Sequence, residues 1–273
     1  MITEYHKPTI SYKETKKNNK ISGYILEDKK VLISAPIGGK KQYSINLWFE
    51  WVANQEYRNF DICICVNGKD RGELLKKLEK VEIITKYKDE KKIISLDLPN
   101  SDDLSIIQKI TYARETIRRY AVKHGYDAIF WLDTDTIPAN KDAIKRLLSW
   151  NVESVSGLYF YKDSKVPVAI DSDTNTNFSL KKIEDFVDIN KLMPTWGTGY
   201  GCLIHQGQAM TTAFDYDTFG EERTDDFGHC HALEHKGIFR WLDPMVLCKH
   251  FSDKASRDKI NKINSIIGLK GKD

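Results

Sequence analysis

The stretch AIFWLDTDTIPAN, from Ala128 to Asn140, drives apolar and aromatic residues straight into two aspartates one residue apart, Asp133 and Asp135. Such a run reads as a buried strand, and a strand should not end by burying two like charges without a partner. In an extended segment alternate side chains project the same way, so both carboxylates are expected to approach one cation. Oxygen ligands suit Mg2+ or Mn2+, ions that commonly bridge to phosphate oxygens. The implied chemistry is the holding of a metal and, through it, of a phosphorylated ligand. A solvated turn is the plainer alternative, and Asp-x-Asp alone weighs little. The flanking AIFWL and TIPAN give the pair its weight.

Two later segments also carry reactive groups. TDDFGHCHALEHKG reads as a helix with Asp225 and Asp226 in its first turn, where the backbone dipole favours carboxylates. WLDPMVLCKH reads as an apolar strand closing on His250, a residue that can also serve as a hydrogen-bonding group at a sheet edge. His231 and His235 stand four apart on one helical face, as zinc pairs sometimes do. Ala232, however, occupies the place where a zinc hydrolase of this spacing uses glutamate, and the chain has no Cys-x-x-Cys. A polar helix face is the better reading.

These groups need elements to position them. KVLISAPIGG predicts a strand ending near Pro36, SINLWFEWVANQEY a helix, FDICICVNG a strand closing on Asn67, and RGELLKKLEKV an amphipathic helix. VEIITKY or KIISLDL supplies another strand. LSIIQKITYARETIRRYAVKHG is a long helix stopped by Gly125, directly before the acidic strand. Strand and helix alternate from residue 31 to residue 150, which predicts a mostly parallel sheet with helices on its faces. Ligands bind such sheets beyond the carboxyl ends of the strands, where Pro36, Asn67, Asp133 and Asp135 would stand. Further on, ESVSGLYFYK and VPVAI read as strands, SDTNTNFS as a loop, and TWGTGYGCLIH as a glycine-rich turn before a strand.

The block YARETIRRYAVKHGYDAIFWLDTDTIPANKDAIKRLL resembles the central block of GT-A glycosyltransferases, close to the large inverting group called family 2. There a helix leads to a strand ending in the DxD motif, which holds the metal and the diphosphate of a nucleotide sugar. TDDFGHCHALEHKG resembles that family's Glu-Asp helix. Asp225 stands where Glu is usual and Asp226 where Asp is usual, with Cys230 and Gly237 at the expected offsets. His229 replaces the usual aromatic residue, and Ala232 a common basic one. WLDPMVLCKH resembles the strand whose closing histidine can complete the metal site.

The resemblance implies a GT-A-like, Rossmann-type α/β domain over residues 29–253, after a polar extension (1–28) and before a lysine-rich tail (254–273). It implies transfer of a sugar from a nucleotide-diphosphate donor to an acceptor hydroxyl, with inversion. Asp133, Asp135 and His250 would hold Mn2+ or Mg2+, the imidazole favouring Mn2+. Asp226 would be the base, with Asp225 its competitor, and Arg114 would lie near the diphosphate. Pro36 and Asn67 would hold the nucleoside, Asn67 replacing the family's usual acid with Asp70 nearby. Trp196 and Gly197, with Thr198 and Gly199, would form a sugar-facing loop in which glycine permits close approach and the indole stacks. A tight turn with a buried indole is the alternative there. The acceptor is left open among a saccharide, a protein, a lipid and a modified nucleic-acid base.

Composition bounds the rest. The 273 residues are 41% hydrophobic and 30% charged, enough for a proper core, and a net charge of +3 does not by itself imply nucleic acid. Five scattered cysteines lack a disulfide rhythm and predict free thiols in a reducing, cytoplasmic setting. No signal peptide and no run of about 18 apolar residues is expected to place the chain in a membrane. A haloacid-dehalogenase-type phosphatase fits DTDTI only in part, because its nucleophilic motif sits on the first strand and its later acids end an apolar strand. An EF-hand is weaker, since Pro138 stands where glycine is required. A non-catalytic nucleotide-sugar-binding protein is the main alternative.

Overall fold

A computed structural model describes residues 10–22, 26–69, 71–80, 93–98, 102–174, 177–182, 190–215 and 224–251. Its first elements are β1 (Ile10–Ser11) and α1 (Tyr12–Ser22). The predicted alternation then follows as β2 (Val31–Gly38), α2 (Ile45–Ala53), β3 (Phe60–Asn67), α3 (Arg71–Lys80), β4 (Ile93–Asp97), α4 (Ile106–Lys123) and β5 (Ala128–Trp131). β2 pairs in parallel with β3 from Val31↔Phe60 to Gly38↔Asn67, and with β5 on its other edge; β4 extends β3 in parallel. Continuous apolar runs suit this arrangement, because both faces of these strands are covered. Val31, Ile33, Ala35 and Ile37 pack on one side with Trp48, Phe49 and Val52 of α2. Leu32, Cys63 and Trp131 pack on the other with Ala113, Ile117 and Ala121 of α4.

Helix α4 begins where its caps dictate. Ser105 accepts from the Gln108 amide while the Gln108 side chain accepts from the Ser105 amide, so two orphan N–H groups are satisfied together. It ends at Gly125, which takes a left-handed φ of 66°. β5 begins three residues later, at Ala128, so the helix stop fixes where the acidic strand starts.

The second half adds β6 (Thr136–Pro138), α5 (Ala143–Ser149), β7 (Ser154–Leu158), β8 (Ala169–Thr174), β9 (Asn177–Leu180), β10 (Lys191–Thr195) and β11 (Gly197–Thr198). It closes with β12 (Leu203–Gln206), α6 (Gly207–Thr211), α7 (Asp225–His235) and β13 (Arg240–His250). The main sheet runs β1-β10-β13-β7-β12-β5-β2-β3-β4, with β6 on β13, and β11-β8-β9 form a second sheet. β12 lies antiparallel between β5 and β7, so β7 and its parallel neighbour β13 run the same way as β2 to β5. The chain is thus α/β with a mostly parallel sheet flanked by helices.

Two sequence expectations change. SDTNTNFS is not a loop throughout: β8 and β9 pair antiparallel up to Thr174↔Asn177, so most of its turn-forming residues lie in paired strands. Part of the expected N-terminal extension is also built into the fold, because Ile10 and Ser11 pair with Leu192 and Lys191 of β10. The expected lysine-rich tail over 254–273 and Asp70 lie outside the described residues. Among those residues no helix is long and apolar enough to cross a membrane. All five cysteines are buried free thiols.

Candidate active site

The apolar run of β5 does deliver its aspartates to the rim of the sheet, but not as an extended pair. After Leu132 the chain turns, the Thr136 amide donating to the Asp133 carbonyl at 2.9 Å. Asp133 stays partly exposed, held by its amide donating to the Gly201 carbonyl, whereas Asp135 turns inward and is fully buried. The two carboxylates still share a cation. Lys41, on the segment between β2 and α2, places Nζ 3.0 Å from Asp135 Oδ1 and 3.6 Å from Asp133 Oδ2. Lys162, between β7 and β8, lies 2.8 Å from Asp135 Oδ2.

His250, at the end of β13, faces the same oxygen with Nε2 3.7 Å away. Its Nδ1 lies 3.1 Å from the Phe160 carbonyl, which can only accept, so Nδ1 carries the proton of that bond. Nε2 is therefore the ring nitrogen that faces Asp135. Burial alone would raise the Asp135 carboxyl, but His250, Lys41 and Lys162 together hold it well below the usual carboxylate range.

Arg114 of α4 connects this cluster to the other acidic motif. Its Nε donates to Asp225 Oδ2 at 2.6 Å and its Nη2 to Asp133 Oδ1 at 3.1 Å. The guanidinium is buried, 5.6 Å from the Trp131 ring and 5.2 Å from the Tyr200 ring, so aromatic faces fix its plane. Asp225 and Asp226 open α7 as the sequence predicts, yet they take different roles. Asp225 is bound to Arg114. Asp226 accepts from the Thr224 hydroxyl and from the Phe227 amide at 2.9 Å. Burial, and then the neighbouring Asp225 charge, push its carboxyl up to about 6.

Glycines let the walls close around Asp226. A Cβ on Gly199 would lie 2.1 Å from the Tyr159 hydroxyl and 3.3 Å from Asp226 Oδ2. The Gly201 amide donates to that hydroxyl at 3.0 Å. Tyr159, Lys41 and Lys162 were not singled out by sequence reasoning, and Gly199, expected in a sugar-facing loop, lies against Tyr159 and Asp226 instead. GGKK after β2 and YFYK after β7 were visible as strings, but nothing local marks a lysine as facing inward.

Other expected site residues are placed differently. β2 runs on to Gly38, so Pro36 is buried inside the strand and in register with Cys65, and the rim position passes to Gly38. Asn67 does end β3, buried and in register with Gly38. Trp196 is 2% exposed: its indole N–H donates to Glu234 at 2.7 Å and its ring packs on Phe227, so it offers no open face to a sugar. The tight turn with a buried indole is the arrangement found. Gly197 follows directly as the start of β11, and a Cβ there would meet Cys230 Sγ of α7 at 3.2 Å. His229 is a core residue stacked on Phe214 at 4.0 Å, its pKa pushed down to about 4 by burial.

Among the described residues no three His, Cys, Asp or Glu side chains converge as a ready metal cage. Asp135 and His250 nevertheless suit a divalent cation chemically. A carboxylate oxygen and an imidazole Nε2 face the same space, and a backbone carbonyl holds the ring's other nitrogen, as is usual for metal-binding histidines.

By sequence, the chain matches no family model and none of the curated proteins. By structure, it is similar to the mannosyltransferase PcManGT from Pyrobaculum calidifontis, solved in complex with GDP-Man and Mn2+. That match has a TM-score of 0.53 at 10% identity and covers 96% of this chain and 74% of the other. It is also similar to residues 1–349 of S. aureus TarS in complex with UDP-GlcNAc, with a TM-score of 0.51 at 9% identity. There the match covers 88% of this chain and 66% of the other. Similarity at this identity shows the fold, and the fold is of the GT-A type.

Proposed function

We propose that this GT-A-fold chain is a metal-dependent glycosyltransferase that moves a sugar from a nucleoside-diphosphate sugar to an acceptor hydroxyl with inversion. The observation that carries the reading is the Arg114 bridge. One buried guanidinium joins Asp133, at the end of the DxD strand, to Asp225, at the start of the helix that bears Asp226. The nucleotide sugars in the two similar structures support the donor class. The proposed unit spans residues 29–253.

In this reading Asp226 removes the proton of the acceptor hydroxyl as its oxygen attacks the anomeric carbon. The bond from that carbon to the diphosphate oxygen breaks on the opposite face, and its electron pair leaves with the nucleoside diphosphate. A carboxyl raised to about 6 is basic enough to accept a proton and still largely ionised at neutral pH. Asp225, held by Arg114, is the positioning partner rather than the base. Asp133, Asp135 and His250 are the proposed ligands of Mn2+, or of Mg2+. The bound ion supplies positive charge to the leaving diphosphate. Asn67 and Gly38, at the carboxyl ends of adjacent parallel strands, line the side where the nucleoside is proposed to rest.

The test is thermal stabilisation by a panel of nucleotide sugars with and without Mn2+, followed by donor turnover with Asp226→Asn. The expected result is Mn2+-dependent stabilisation by one donor class, with turnover reduced at least about a hundredfold in the variant while stabilisation persists. A donor that binds without turnover by the wild type supports a binding protein instead. Retained anomeric configuration in the product overturns the inversion.

A further inference from the structure

Asp135 is fully buried, so whatever neutralises it must already be in contact, and two ammonium groups are. Lys41 Nζ is 3.0 Å from one of its oxygens and Lys162 Nζ is 2.8 Å from the other. A divalent cation binds carboxylate oxygen at roughly 2.0–2.2 Å. An ion on Asp135 would therefore overlap the space that these ammonium groups hold. Both lysine side chains are about a third exposed (34% and 37%), so each can turn outward without leaving a buried charge behind.

The charges point the same way. Among the groups in direct ion-pair contact, the three carboxylates of Asp133, Asp135 and Asp225 are matched by three cations, Arg114, Lys41 and Lys162, with Asp226 outside these pairs. A divalent ion entering alone adds two positive charges to a matched set, and the like-charge repulsion acts in a partly desolvated site. An ion entering with the two negative charges of a nucleotide sugar's diphosphate leaves the balance unchanged. The displaced ammonium groups then have phosphate oxygens to meet.

We propose that Lys41 and Lys162 hold the place of the divalent ion in the donor-free protein and hand it over when ion and diphosphate arrive together, the two ammonium groups moving from Asp135 to the phosphates. This handover rests on the metal-dependent donor reading above. It makes the two ligands strongly cooperative: Mn2+ alone binds weakly, and Mn2+ with GDP or UDP binds tightly.

The experiment measures Mn2+ binding from the electron paramagnetic resonance signal of the free ion, for the wild type, Lys41→Met, Lys162→Met and Lys41→Arg. GDP and UDP affinities are then measured by calorimetry at saturating Mn2+. Removing either ammonium should tighten binding of Mn2+ alone about tenfold and weaken nucleotide binding about tenfold, whereas Lys41→Arg, which keeps the charge, should leave Mn2+ binding weak. Thermal melts identify any variant that has lost its fold, and the two lysines report independently. If both methionine variants bind Mn2+ no more tightly than a wild type that still shows Mn2+-dependent nucleotide binding, the handover is wrong and the donor reading stands. Should the wild type bind both nucleotides equally well with and without Mn2+, the metal-dependent reading fails and the handover falls with it.

Discussion

Arg114 Nε donates to Asp225 Oδ2 at 2.6 Å, and this bond ties the helix before the acidic strand to the helix that carries Asp226. The two residues lie 111 positions apart, so the bond joins distant segments at the site. Through its second bond, to Asp133, the same guanidinium sets the spacing between the proposed metal side and the proposed base.

Arg114→Met should therefore destabilise the protein by about 3–5 kcal/mol, the range for removing one member of a buried ion pair. The loss comes from leaving Asp225 and Asp133 unpaired beside Trp131 and Tyr200. Adding Asp225→Asn removes one of the stranded charges and should restore part of the stability. Urea unfolding of the two single variants and the double variant checks this; simple additivity of the single effects would contradict the bridge.

The raised Asp226 carboxyl gives a pH signature. Its folded-state value, about 6, lies above the ordinary aspartate range because burial and Asp225 disfavour its charge. Between the unfolded value and about 6 the folded protein holds a proton that the unfolded chain has lost, so this group's contribution to stability falls as pH rises through that window. Asp226→Asn should accordingly stabilise the fold at pH 8 relative to the wild type and have little effect at pH 4. Donor turnover by the wild type should run the other way, falling below about pH 6 as the base is protonated. Melting temperatures across pH and a kcat/KM profile with the preferred donor measure both limbs.

The parts of this site that were legible in the sequence are those in which a local pattern conflicts with itself. An apolar run ending in two acids, or a helix opening with an acidic pair before a glycine stop, contains its own contradiction, and the fold resolves it as a site. Lys41 and Lys162 carry no such conflict. A lysine after a glycine pair or in a hairpin loop is ordinary, and each becomes significant only because it reaches Asp135 from a distant segment. Trp196 shows the converse: an aromatic residue beside glycines suggested a stacking face, but Glu234 from α7 satisfies its indole N–H and closes the turn over it. The turn-rich composition around Asn175 hid the β8–β9 hairpin for a similar reason, since pairing is a long-range property that turn residues only punctuate.

Gly199 offers a sharper test of how tightly the wall behind Asp226 is built. A Cβ there would lie 2.1 Å from the Tyr159 hydroxyl and 2.9 Å from Val168 Cγ1, so Gly199→Ala forces the tyrosine to move. Tyr159 cannot move alone: its hydroxyl accepts from the Gly201 amide, and its ring lies edge-on to His250 with centroids 5.6 Å apart. The substitution should destabilise the protein by about 1–3 kcal/mol, the usual range for overpacking, and weaken Mn2+ binding by disturbing His250. Adding Tyr159→Phe removes the atom in the worst contact but strands the Gly201 amide, at a cost of about 1–3 kcal/mol. The double variant should thus recover Mn2+ binding more fully than stability, a split that calorimetric titration of Mn2+ beside urea unfolding resolves. Equal recovery of both, or a Gly199→Ala protein as stable as the wild type, would show that Tyr159 does not fix the imidazole.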